Sequence, residues 1–76
     1  ARLPADDLLE CISRLPAGYR TVFNLYAIEG YTHKEIAAML HIQEITSRSQ
    51  FARARKALQE MVQSLIAQDN VSRNRT

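Results

Sequence analysis

One cysteine, Cys11, is all the thiol this chain carries, so it can close no internal disulfide, which fits a reducing, cytoplasmic setting. No apolar run approaches the roughly 20 residues that a membrane span needs, and no signal peptide is recognisable, so membrane insertion is not expected. The two histidines, His33 and His41, have no cysteine partners at zinc-like spacing, and neither a metal site nor any other cofactor is expected. The carboxylates Asp6, Asp7, Glu10, Glu29, Glu35, Glu44, Glu60 and Asp69 suit caps, helix starts and solvated faces. Their spacing implies no convergent pair, and Cys11 lies in a helical apolar pattern where it reads as packing. An enzyme is not expected. The few aromatics, Tyr19, Phe23, Tyr26, Tyr31 and Phe51, also fall in helical patterns and read as core, as do Met39 and Met61, so no stacking platform for bases is expected.

With 76 residues the chain is one small domain, and its start at Ala rather than Met suggests a domain excised from a longer protein. Four helices and no strands are expected, an all-α fold. The first runs from about Ala5 to Arg14, with Pro4, Asp6 and Asp7 suited to its start and Leu8, Ile12 and Leu15 as its apolar stripe. A second runs from Pro16 or Ala17 to Ile28, apolar on more than one face, with Gly30 where a left-handed cap is wanted. The third spans Thr32 to Leu40. The fourth begins near Gln43 or Glu44 and holds a three-four apolar spacing to about Ala67. Residues 1–67 therefore form the domain, and 68–76 are expected to be a flexible tail.

Charge is unevenly placed. Residues 1–31 carry a net −1, whereas residues 46–56 hold Arg48, Arg53, Arg55 and Lys56 with no acid, a net +4. The segment EGYTHKEIAAMLHIQEITSRSQFARARK gives that basic block its structural setting. Thr32 and Glu35 have capping-box spacing, and Tyr31 and Ile36 that of a hydrophobic staple. Ile36, Ala37 and Leu40 form one apolar face. After His41 the pattern restarts with Phe51, Ala54 and Leu58, leaving the cations on the other sides. A short helix, a tight turn and a longer basic helix are the layout of a helix-turn-helix that carries a recognition helix to the major groove.

The whole string, Leu15-Pro16, Tyr19-Arg20, Val22-Phe23, Leu25, Glu29 through Ala37, Thr46 through Ser49 and Arg53 through Leu58, resembles region four, the C-terminal domain, of bacterial extracytoplasmic-function RNA polymerase sigma factors. The likeness covers roughly residues 14–60. It implies a domain that reads the −35 promoter element in double-stranded DNA and docks on the β flap of RNA polymerase core, with an anti-sigma factor as a further partner in many members. Three positions depart from that pattern: His41 where many relatives have Gly, Ile45 where a small residue is frequent, and Ser47 where an aliphatic one is. A LuxR-type response-regulator domain has a similar helix and turn, with Met61, Val62, Leu65 and Ile66 as a dimer surface. A region-four-like module that binds only protein is the other alternative.

By similarity to the family, Arg48, Ser49 and Arg53 are expected at base edges and Ala52 beside a thymine methyl or the sugar wall. Arginine's fork matches guanine O6 and N7. Gln50 carries an amide that adenine could use, but its spacing turns it partly sideways. Thr46, Ser47, Arg55 and Lys56 suit phosphate contacts, which position the helix without reading sequence. Lys34 opposes the dipole of its own helix, an arrangement that becomes useful once a phosphate sits at that helix start, and Arg20 could reach the same strand.

Overall fold

The computed structural model describes the backbone of residues 4–74 and the side chains of residues 4–68. Four helices follow one another: α1 (Ala5–Ser13), α2 (Ala17–Phe23), α3 (His33–Leu40) and α4 (Glu44–Asn74). No strand occurs among the described residues.

Each short helix starts and stops where its local chemistry dictates. Pro4 precedes α1, whose first turn carries Asp6 and Asp7 against the dipole. The helix ends before Pro16, which has no N–H to give and restricts Leu15 ahead of it. Pro16 then opens α2, its carbonyl accepting from the Arg20 amide at 2.9 Å. The last turn of this segment widens into a π turn over Asn24–Ile28, closed by Glu29 N–H to Asn24 O at 3.0 Å. Gly30 then takes a φ of 83°, the left-handed conformation expected of it. At α3 both halves of the capping box form: Glu35 N–H donates to Thr32 Oγ1 at 3.1 Å, and Thr32 N–H to Glu35 Oε1 at 3.0 Å. His41 ends α3 in the left-handed region at φ 57°, and Ile42 N–H reaches back to Ala37 O at 3.0 Å, a Schellman ending. The ring of His41 thus occupies a backbone position that glycine fills at lower cost.

The core lies along one side of α4. Cys11, Ile12 and Leu15 from the end of α1 pack on Ala54 and Leu58, with Tyr19, Phe23, Met61 and Leu65 around them. Cys11 is buried, as its apolar pattern implies. Ile36 is completely buried in α3, and Val22 nearly so in α2.

Several expectations need correction. Leu8 is exposed, because only the last turn of α1 and Leu15 reach the core. Met39 is exposed rather than core, and Tyr26 and Tyr31 are only part-covered, since α3 buries a single face through Ile36 and the π turn buries none of its residues. The helix expected to end near Ala67 continues to Asn74, where a tail was expected from Gln68; no Gly or Pro interrupts that stretch. Residues 75 and 76 of that tail lie outside the described ones.

Candidate nucleic-acid interface

The start of α4 is held in place by a polar and aromatic junction. His33, the first residue of α3, stacks on Tyr26 of the π turn with ring centroids 4.1 Å apart and planes 8° from parallel. Phe51 of α4 meets both rings, at 4.6 Å from Tyr26 and 5.8 Å from His33. Beneath them His33 Nδ1 and Ser47 Oγ share a hydrogen bond of 2.8 Å. Ser47 is 0 % exposed, so it cannot touch a phosphate as its residue type had suggested. That expectation is corrected: counted from Glu44, Ser47 falls on the same side of the helix as Phe51, Ala54 and Leu58.

On the opposite side α4 presents its outward strip. Arg48, Ala52, Arg53, Arg55 and Lys56 are exposed and Ser49 is half-buried. An α-helix turns about 100° per residue, so Arg48, Ser49, Ala52, Arg53 and Lys56 share one face. The structure therefore brings together all four residues expected at base edges. Ser49 is partly committed, its hydroxyl donating to Ile45 O at 3.0 Å. Arg48 is paired with Glu44 one turn earlier, an ion pair that the i, i+4 spacing permits and that the charge count over residues 46–56 did not register. Among the described residues, Arg53, Arg55 and Lys56 have no acidic partner at ion-pair distance. Gln50 is half-buried beside Gly18 of α2, and its Oε1 is shielded from solvent. That inward placement takes it away from any base edge.

The expected phosphate contacts divide. Lys34 is exposed at the start of α3, where the capping box has taken the Glu35 amide and leaves those of His33 and Lys34 for solvent or an anion. Thr46 is half-buried at the start of α4. Arg20 is half-buried and turns its guanidinium toward α1, donating to Ser13 O at 3.0 Å, so only part of its fork remains for a backbone.

The local charges agree with these placements. Bonds from the Thr32 backbone amide and hydroxyl hold the Glu35 carboxyl below its ordinary range. The Arg48 guanidinium does the same to Glu44, helped by the charges of Arg48, Lys34 and His33. Burial pushes the His33 ring down, the Arg48 charge adds to this, and Glu44 opposes it. The lowered His33 pKa favours the uncharged ring as pH rises toward neutral, and the lasting positive field comes from Lys34 and the arginines. Two elements of this site escaped the sequence reading. One is the inward hydroxyl of Ser47, which the helical phase did carry; the other is the stack of His33 on Tyr26, for which the local pattern held no sign.

A family model described as Sigma-70, region 4 matches residues 5–58, from the first helix through the whole basic strip. No curated protein and no solved structure matches the chain.

Proposed function

The chain belongs to the sigma-70 region 4 family, a DNA-binding part of sigma factors, and from that premise we propose that it reads the −35 promoter element for a sigma factor of the extracytoplasmic-function group. The observation that carries this reading is the outward strip of α4: four cations on the exposed side of a helix whose other side is anchored in the core. A helix held in this way has its rotation set before DNA arrives, which is what base reading requires. Arg48 and Arg53 are the guanine-type forks, with Ser49 and Ala52 between them, and Lys34, Thr46, Arg55 and Lys56 bracket the strip with phosphate contacts. Arg48 exchanges its Glu44 carboxylate for a base edge on binding.

Docking on the β flap of RNA polymerase belongs to another face. A cleft between α1 and α4, lined by Cys11, Arg14, Ala57, Met61 and Leu65, offers an apolar floor with charged edges. It lies away from the basic strip, so DNA and polymerase can be held together. An anti-sigma factor would compete for the same cleft, and the place of action is the cytoplasm. No helix among the described residues is long and apolar enough to cross a membrane. Family membership weighs against the LuxR-type alternative.

The test has two arms: titration of the chain with the isolated flap-tip segment of a bacterial polymerase β subunit against a scrambled control, and sequence selection from randomised duplexes. Saturable flap binding with a selected DNA motif is expected. Flap binding without any DNA selection would leave only a protein-interaction module, and loss of both would sink the reading.

A further inference from the structure

Among the described residues Ile45 is the most exposed of the large hydrophobic side chains, at 63 %. Single exposed apolar residues are ordinary on protein surfaces, so exposure alone decides nothing. Its position does. Ile45 is the second residue of α4 and lies about 180° around the axis from Ala54, which is 0 % exposed in the core. It is therefore at the centre of the outward face, about 20° from the direction of Ala52, 40° from Ser49 and 60° from Arg48. In a helix-turn-helix the first residues of the recognition helix are those that meet base edges. Ile45 keeps most of its surface open among the described residues, and the Glu44–Arg48 pair beside it keeps those two charges on one another.

An aliphatic group at that place has one base-specific partner in the major groove, the C5 methyl of thymine, the only apolar group the groove displays. We infer that Ile45 is a specificity-determining residue that packs on a thymine methyl about 10 Å along the helix from Ala52. The inference rests on the reading of α4 as a promoter-binding helix. It adds to it a contact that the arginines cannot supply: preference for thymine at one position, insensitive to salt. DNA rather than a protein is the occupant because Ile45 is continuous with the basic strip, which starts one turn on at Arg48 and Ser49 on the same face.

The experiment compares the chain with Ile45→Ala and Ile45→Val. Each protein first selects sequences from randomised duplexes. Each thymine of the preferred site is then replaced in turn by deoxyuridine, which lacks only the methyl. One replacement is expected to weaken the unaltered chain and Ile45→Val about fourfold, the effect of uncovering a single methyl, and to leave Ile45→Ala unchanged. Ile45→Ala is an exposed, helix-favouring change, and circular dichroism serves to check that the variant is folded. A selected site in which no deoxyuridine effect depends on residue 45 overturns the inference while leaving the promoter reading intact. Loss of flap-segment binding in Ile45→Ala, with DNA selection unaltered, assigns the residue to a protein partner and also overturns it. If the unaltered chain selects no sequence at all, the promoter reading fails and takes this inference with it.

Discussion

The hydrogen bond between His33 and Ser47 can be weighed by a double-mutant cycle. Ser47→Ala removes the hydroxyl and leaves His33 Nδ1 on a half-exposed ring that water can reach. His33→Phe keeps a ring against Tyr26 but strands a hydroxyl that is 0 % exposed. The two losses should therefore differ. Ser47→Ala should cost about 0.5–1.5 kcal/mol, the net worth of one bond, and His33→Phe about 1–3 kcal/mol, the penalty for a buried polar group without a partner. A hydroxyl that turns to the Gln43 carbonyl one turn back would bring the second figure toward the first. The double variant should recover part of the sum, giving a coupling of about 1 kcal/mol. Urea unfolding of the four proteins measures this, with the slope checked for constancy. The same set tests the pH dependence. Burial and Arg48 hold the folded His33 below its ordinary 6.5, so the unfolded chain binds the proton more readily. His33's contribution is then fully present above pH 6.5 and is lost as pH falls through the lower folded value. Relative to His33→Phe, the unaltered chain should lose stability on acidification. A coupling indistinguishable from zero, or a relative gain in stability in acid, would refute the reasoning.

Arg53→Ala should cost about 1–3 kcal/mol on the preferred duplex and relax one base position, read by sequence selection; unchanged preference would displace the reading strip. Lys34→Ala should weaken all duplexes alike and reduce the log–log salt slope by about 1, measured by anisotropy over a salt series. Glu44→Gln should tighten DNA binding at low salt and lose that advantage as salt rises, because it frees Arg48 and removes a charge that repels phosphate. Gly30→Ala should destabilise the fold by roughly 1–2 kcal/mol in urea unfolding, a cost of backbone alone, since nothing lies within 4 Å of the added carbon.

What the sequence made legible here was governed by local rules. The capping box at Thr32 and Glu35, the left-handed Gly30 and the stop before Pro16 depend on residues a few positions apart, and each appears as expected. The apolar period of α4 placed Ala54 and Leu58 correctly for the same reason. Residue type misled where it was weighed above phase. Ser47 looked like a phosphate ligand because serine is polar, although its distance from Phe51 and Ala54 put it on the core side. Met39 looked like core because it is apolar, although in a domain this small few faces find a partner. The stack of Tyr26, in the π turn, on His33 joins two segments, a tertiary contact without a local signature.

The same helical phase that buries Ser47 keeps Arg48 in solvent, and the two placements support one another. Turning α4 by a single residue, about 100°, would carry Arg48 toward the site that Ser47 fills and would take the Ser47 hydroxyl off His33. A guanidinium in that fully covered place would lose its hydration with only a neutral, hydrogen-bonded ring beside it, at a cost well above that of any single contact the helix makes. Phe51 adds to the selection, because only in the present rotation does it meet both Tyr26 and His33 while Ala52 faces outward. The orientation of the basic strip is thus set by residues on the packed side of the helix and at the head of α3, not by the cations themselves. Substitutions at His33, Ser47 or Tyr26 should consequently be read first for their effect on base preference at the strip, and only then for overall affinity.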